Sequence, residues 1–465
     1  LRLLKHLRLL FLLLAAVLGA LDAWTGRNAL NPMGVSYLDM GDAYFRGDWA
    51  TAINGFWSPL YSLPLGLAMR LIRPSAEHEF AVVHLVNYLI YLCALFAFDF
   101  FLRELMRVYK ERNSSSRYER KFDERGSATE AMLSDWVWQA LGYTLFIWCT
   151  LGLITLVSTS PDLLLSVFVY LALALVLRIR RRADSLRSFF ILGLVLGIGY
   201  LAKAPLLPIS VGFLFIALIW SGKPRRFGRP LMVFALGFAL TAGPFITALS
   251  LSKGRFSAGD SGKLNYMWHV NKMPFFHWQG DDPRYGVLLH PTRKIFDSPA
   301  IFEFGTPLNA TYPPWYDPSY WYEGASPRFS LEQQFAAIRV SAAVYLELFT
   351  YRSHLLVLLG FLILLYQGWR NWLGGLREEW LLLVPSILAF AMYAVVHAEP
   401  RYLGPFIPSL WLSLFSSLRL PARKSSQKLI SCTIIPLVLV VMLTLLPEVR
   451  PQMEFSLLRF SLAKL

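Results

Sequence analysis

Four short stretches of the 465-residue chain set ionisable side chains against apolar sequence. In Ser36-Tyr37-Leu38-Asp39-Met40-Gly41-Asp42, the two acids stand three apart and share one face of a helix. A carboxylate partly withdrawn from water keeps its proton more readily and can take one from a hydroxyl. The same spacing also serves helix capping and solvated charge. Ser158-Thr159-Ser160-Pro161-Asp162 reads as a helix start with Asp162 at the positive end of the dipole, and capping alone accounts for it equally well. Lys203, alone between two apolar runs, suits the phosphate of a lipid head group and equally a lysine snorkelling to water. Glu399 and Arg401 share the short hairpin His397-Ala398-Glu399-Pro400-Arg401-Tyr402. The guanidinium there can grip a phosphate by two bonds or simply pair with Glu399. Taken together, a base, a second acid, a lysine and an arginine fit one reaction. An acceptor hydroxyl loses its proton to a carboxylate while a departing phosphate is neutralised by cations.

The elements that must position these residues are apolar. Hydrophobic residues make up 55% of the chain and charged residues 16%, against about 25% charged in soluble domains. Crossing a bilayer takes about 20 apolar residues. Such runs occur near 6–23, 81–102, 136–157, 162–178, 189–204, 205–221, 230–250, 353–369, 379–396, 401–418 and 430–447. The expected fold class is an all-α polytopic membrane protein with about eleven transmembrane helices. The first run is long and has no convincing small-residue cleavage site, so it reads as an uncleaved helix.

The net charge of +15 sits in short loops between these runs: Arg2-Lys5-Arg8, 103–130, Arg178–Arg182, Lys223–Arg226, Arg370 with Arg377, and Arg419–Lys428. That pattern follows the positive-inside rule rather than nucleic-acid binding. It predicts a multi-pass protein of the cytoplasmic (inner) membrane with its N-terminus in the cytoplasm. All four candidate stretches then fall on the periplasmic, extracytoplasmic side. The domain reading is an N-terminal transmembrane module over 1–250 with a first outer loop at 24–73, an extracytoplasmic domain at 251–345, and C-terminal helices over 346–465. Within the first loop, 57–72 suits a helix lying along the membrane surface. Cys93, Cys149 and Cys432 lie inside apolar runs and suggest neither a disulfide framework nor a thiolate metal site.

The 251–345 stretch is rich in aromatic residues, among them Trp268-His269, Phe276-His277-Trp278 and the run Tyr312–Tyr322. These suit stacking on a sugar, or the packing of a small loop-rich lid. The spacing of His269, His277, His290 and Asp281-Asp282 fits no recognised ligand pattern, so neither a cofactor nor a divalent metal is assigned. Asn309-Ala310-Thr311 has the form of a glycosylation sequon.

The chain resembles the GT-C class of membrane glycosyltransferases, which includes the protein O-mannosyltransferases and the lipid A aminoarabinose transferase. Layout over most of 1–420 carries the resemblance. It is sharpest in Tyr37-Leu38-Asp39 through Gly47-Asp48-Trp49, Trp57-Ser58-Pro59-Leu60-Tyr61, Ser160-Pro161-Asp162, Gly199–Lys203 and Glu399–Pro405. The resemblance implies a polyprenyl-phosphate-linked sugar donor in the membrane lipid, an acceptor of glycan, lipid or protein class, and inverting transfer on the outer face. It implies Asp39 as catalytic base, with Asp42 second and Asp162 supporting the acceptor or the base. Lys203, Arg401 and Tyr402 would hold the lipid phosphate. Tyr37, Trp57, Tyr61, His269, Trp278 and Glu399 would touch acceptor or sugar. The chain departs from the pattern at Met33-Gly34, where related enzymes often carry an acidic pair. Two other classes compete: a transporter or flippase for lipid-linked saccharides, which favours ionisable residues at mid-membrane and repeated halves, and a non-catalytic envelope assembly protein.

Overall fold

The computed structural model describes residues 2–441 apart from 121–129, 132, 183–184, 223–226, 276–277, 306, 309, 355, 359, 362–368, 419 and 422–431. In chain order its helices are α1 (Arg2–Thr25), α2 (Pro32–Arg46), α3 (Trp49–Ala52), α4 (Ser62–Ile72), α5 (Glu79–Arg120), α6 (Asp135–Ile147), α7 (Asp162–Arg181), α8 (Leu186–Ala202), α9 (Leu206–Ser221) and α10 (Gly228–Ser252). There follow α11 (Ser261–His269), α12 (Pro313–Tyr316), α13 (Pro318–Trp321), α14 (Leu331–Glu347), α15 (Trp369–Val396), α16 (Pro400–Leu403), α17 (Ile407–Ser416) and α18 (Cys432–Val441). Sheet is confined to an antiparallel hairpin, Arg293–Asp297 with Ala300–Glu303, and a two-residue ribbon, Glu130–Ala131 with Leu420–Pro421. Helix α7 packs on α5, α8 and α9, and α2 lies on α4.

Among the described residues, six helices are long and apolar enough to cross a membrane: Leu4–Thr25, Ala76–Arg112, Asp135–Ile154, Asp162–Arg181, Gly228–Ser252 and Glu379–Val396. Five shorter apolar helices, Ser62–Ile72, Leu186–Ala202, Leu206–Ser221, Ile407–Ser416 and Cys432–Val441, stand beside these six among the described residues. The runs at 189–204 and 205–221 are the shorter helices α8 and α9, of 17 and 16 residues. Seventeen residues of α-helix reach about 25 Å, less than the roughly 30 Å hydrocarbon core. The run at 401–418 is broken by a turn at Gly404-Pro405-Phe406 into α16 and α17, because Pro405 and Pro408 lack the N–H that would continue one helix. The runs at 353–369 and 430–447, like the basic groups Lys223–Arg226 and Arg419–Lys428, lie wholly or partly outside the described residues.

Helix α7 sets the scale. Its 20 residues span about 30 Å, with Asp162 at one end and Arg178, Arg180 and Arg181 at the other. Three buried carboxylates gather arginines from several helices, two of them at the arginine end of α7. Asp99 accepts from both Nε and Nη2 of Arg8 at 2.6 Å and from the Tyr143 hydroxyl at 2.6 Å. It also pairs with Arg103 at 3.0 Å, as the i,i+4 spacing predicts. Glu104 meets Arg107, Arg178 and Arg181, and Glu379 meets Arg112 and Arg180. Buried charge is costly unless paired, so these bridges tie α1, α5, α7 and α15 together. Between the two polar ends lies an aromatic and aliphatic core that includes Phe98, Tyr143, Phe146 and Tyr170.

Close backbone contact seats α2. A side chain on Gly66 of α4 would place its Cβ 2.6 Å from the Gly41 carbonyl oxygen, and one on Gly41 would sit 2.7 Å from that of Ser62. Gly66→Ala should therefore force the two helices apart and cost about 1–3 kcal/mol, the usual range for overpacking. Gly374→Ala, in α15 with open space around it, should be neutral or slightly stabilising. Thermal unfolding of the purified proteins in one detergent checks this. Equal midpoints for the two variants would contradict the packing described.

Candidate active site

The segment that delivers Asp162 begins where α6 widens into a π-helix, Trp148–Ile154, and ends at Thr155 with φ +62°. A β-branched residue in that region is strained, so its neighbours must hold it. They do so through Leu156. Its N–H donates to Asp22 Oδ2 at 2.9 Å, and its carbonyl accepts from Asn87 Nδ2 at 2.8 Å and lies 3.2 Å from His84 Nδ1. Asn87 Oδ1 accepts in turn from the Tyr61 hydroxyl at 2.6 Å. These clamps, from α1, α5 and the loop before α4, fix the approach to Ser160-Pro161-Asp162.

Asp162 is 1% exposed and receives Lys203 Nζ on Oδ1 at 2.5 Å. Its second oxygen, Oδ2, is buried and has no hydrogen-bond partner among the described residues. Lys203 follows α8 directly, where the chain turns into α9. The Ser58 hydroxyl accepts from Ala204 N, and Leu60 N donates to the Leu201 carbonyl. The ammonium lies 4.0 Å from the centre of the Tyr402 ring, and the Arg401 guanidinium lies 5.0 Å from the same centre. Burial pulls the lysine below its ordinary range, with Asp162 opposing.

Arg401 donates to Glu399 Oε2 at 2.6 Å, and Glu399 Oε1 also receives His397 at 3.1 Å. Burial resists ionisation of Glu399, but the His397 and Arg401 contacts outweigh it and bring its pKa to about 2. A carboxyl lowered from 4.5 to about 2 contributes its full stabilisation above 4.5 and loses it as pH falls toward 2. The Glu399–Arg401 brace is therefore intact at neutral and mildly acidic pH. His397 stacks on His269 at 3.8 Å, and burial followed by His397 lowers His269 to about 4. The structure thus joins Asp162, Lys203, Tyr402, Arg401, Glu399 and His269 in one continuous group drawn from α7, the α8–α9 turn, α16 and α11.

Helix α2 divides the remaining candidates. Gly34, Tyr37 and Gly41 follow a helical stripe, and two of its contacts are backbone-close. A Cβ at Gly34 would meet Thr159 Cγ2 at 2.7 Å, and Gly41 lies on α4. Tyr37 is buried against Trp57 and Tyr61. Burial, then the Asp162 charge, pushes its hydroxyl well above the ordinary tyrosine range. This stripe faces the Asp162 group. Asp39 is two residues from Tyr37, about 200° around the helix. Its carboxylate accepts instead from the N–H and hydroxyl of Thr311, both at 2.9 Å. Asp42, 63% exposed at its side chain, pairs with Arg46 at 3.2 Å. The structure therefore keeps the Asp39–Asp42 face and the Lys203–Arg401 group on opposite sides of α2. At Met33-Gly34 the Gly34 contact with Thr159 has no room for a carboxylate.

The aromatic candidates are mostly core. Trp57 donates from Nε1 to the Trp315 carbonyl at 3.0 Å and packs on Phe56 and Trp315. Trp278 is buried beside Tyr322. His290 pairs with Glu323 and stacks on Tyr320. Phe276, His277 and Asn309 lie outside the described residues. Sequence reasoning missed Asp22, His84 and Asn87. Their signal was present, since each is a polar residue within or at the start of an apolar run, and His84 and Asn87 share a face at i,i+3.

No protein-family model and no curated protein matches the chain. Among solved structures it is similar to ArnT from Cupriavidus metallidurans in the apo state, with TM-score 0.47 and 13% identity over 92% of this chain and 62% of that one. ArnT bound to undecaprenyl phosphate gives TM-score 0.45 and 14% identity over 92% and 63%. The Archaeoglobus fulgidus oligosaccharyltransferase in the apo form gives 0.42 and 12% over 88% and 50%. The chain spans less than two thirds of the length of each.

The Asp39–Thr311 contact fastens α2 to the 310–316 stretch, and hydrogen bonds to a partly buried carboxylate contribute about 1–3 kcal/mol. Asp39→Ala should lower the unfolding midpoint more than Thr311→Val, which removes only the hydroxyl bond. Thr311→Val should add little once Asp39 is gone. A double-mutant cycle by thermal unfolding checks this, and additive effects would mean that the two side chains are not coupled.

Proposed function

We propose that the chain is a membrane glycosyltransferase that moves a sugar from a polyprenyl-phosphate donor to a hydroxyl acceptor. The observation that carries this reading is the placing of two partly buried cations, Lys203 and Arg401, against the one ring of Tyr402, beside a carboxylate with one oxygen unpartnered among the described residues. Two partly buried cations at the end of apolar helices fit an anionic group attached to a lipid chain. Under the positive-inside rule the arginine end of α7 is cytoplasmic, which puts this group on the extracytoplasmic side. The 251–345 segment would cover it from that side.

In the proposed reaction the acceptor oxygen bonds to the anomeric carbon from the face opposite the phosphate. The bond from that carbon to the phosphate oxygen breaks with its electron pair, and the configuration inverts. The acceptor's proton passes to a carboxylate. Of the acids considered, Asp162 faces the cations, and Asp39 and Asp42 do not, so Asp162 is the proposed base. The donor phosphodiester carries one negative charge and leaves as a phosphomonoester with up to two. Lys203 and Arg401 face that gain in charge, and cations already in place stabilise it without reorganisation. Glu399 and His397 orient Arg401.

The test is transfer from polyprenyl-phosphate sugars by the purified protein in nanodiscs. Arg401→Ala should lower kcat/KM by about 100-fold or more, the usual scale for removing a charge-stabilising group. Asp162→Asn should abolish turnover, while Asp39→Asn should retain most of it. Loss in Asp39→Asn with full activity in Asp162→Asn would return the base to α2. Binding of the lipid phosphate with no transfer to any acceptor would mark a carrier or assembly protein instead.

A further inference from the structure

The Asp162–Lys203 pair sets a problem for the proposed chemistry. An ammonium held on a carboxylate at 2.5 Å is committed to it, and a carboxylate occupied by an ammonium has one oxygen fewer for an acceptor hydroxyl. We infer that Lys203 is a partner-exchange switch: donor phosphate draws its ammonium from Asp162, and the exchange frees the Asp162 carboxylate to receive the acceptor hydroxyl. This deepens the glycosyltransferase reading and rests on it.

Three observations carry the inference. The first is that Lys203 makes no charged contact within 4.0 Å, among the described residues, other than Asp162, so one new anion is enough to compete for it. The second is the Tyr402 ring, 4.0 Å from the ammonium and 5.0 Å from the Arg401 guanidinium. An aromatic face tolerates a cation that slides across it, so Lys203 can swing toward Arg401 without losing that contact. The third is the state of Asp162 itself. Its Oδ2 is buried without a partner, and the nearby hydroxyls of Thr159 and Ser160 are likewise buried without partners among the described residues. The region therefore holds hydrogen-bonding capacity that the protein does not itself use, which suits a hydroxyl-bearing ligand.

Charge accounting makes the exchange follow the reaction coordinate. As the acceptor's proton reaches Asp162, that carboxyl's negative charge disappears. As the sugar leaves, the negative charge on the phosphate grows. Both changes pull Lys203 the same way, from the acid to the phosphate, and the reverse movement after product release restores the pair. The protein would bind donor before acceptor, and a bound acceptor alone would meet an occupied Asp162.

The experiment measures binding of undecaprenyl phosphate to the full chain in nanodiscs, for wild type, Asp162→Asn, Lys203→Met and the double variant, with Arg401→Ala as a control for location. Because wild type must break the ion pair to bind, Asp162→Asn should tighten binding roughly tenfold. Lys203→Met should weaken it, and Asp162→Asn should tighten little or not at all in the Lys203→Met background. Asp162→Ser serves in place of the asparagine variant should that one fail to fold. Weaker or unchanged binding in Asp162→Asn would overturn the exchange and make the pair a fixed scaffold. Equal tightening with and without Lys203 would also overturn it, reducing the role of Asp162 to simple repulsion. No binding to wild type at all would instead overturn the phosphate reading, and the exchange with it.

Discussion

The site depends on an ion pair that cannot be left half-made. Asp162 opens α7 inside an apolar bundle, and its charge is tolerable there because Lys203 meets it from the turn between α8 and α9. Removing either partner leaves an uncompensated buried charge. Much of the surrounding structure can be read as what places these two groups in register. The π-helical end of α6, the strained Thr155 and the Leu156 clamps deliver Asp162. The loop before α4, bonded to Leu201 and Ala204, holds the chain on either side of Lys203. At the far end of α7 a second set of buried carboxylates collects arginines from several helices. One apolar rod about 30 Å long therefore separates two polar layers with different roles. In one, every buried acid is met by two or more arginines. In the other, an acid keeps an oxygen to spare.

Helix α2 shows how one short element serves two surfaces. Its Gly34–Tyr37–Gly41 stripe closes on Thr159 and α4, and its Asp39–Asp42 stripe faces Thr311 and Arg46. Both stripes are polar-bearing and adjacent in sequence, so spacing alone does not say which one meets the cations.

Much was legible before any coordinates. Apolar runs marked the long helices, and the Asp162, Lys203 and Glu399–Arg401 stretches were picked out as charged residues at the ends of those runs, which is where the structure joins them. What the sequence did not carry was direction around a helix and contact across long separations. Asp39 and Asp42 share a face by spacing, but nothing in the spacing shows that Asp39 bonds Thr311, 272 residues away. The aromatic run Tyr312–Tyr322 looked equally suited to sugar stacking and to packing, and burial of Trp315, Tyr316 and Trp321 puts those rings in the core. Run length does not register the turns at Lys203 and Gly404, which end helices inside or between apolar runs.

The central claim is that the Lys203–Tyr402–Arg401 face receives a lipid-linked phosphate. A structure determined in nanodiscs with undecaprenyl phosphate bound tests it most directly. The account predicts phosphate density within hydrogen-bonding distance of both Lys203 Nζ and the Arg401 guanidinium, with Lys203 drawn away from Asp162. Density for the phosphate elsewhere, with the Asp162–Lys203 pair unchanged, would contradict it.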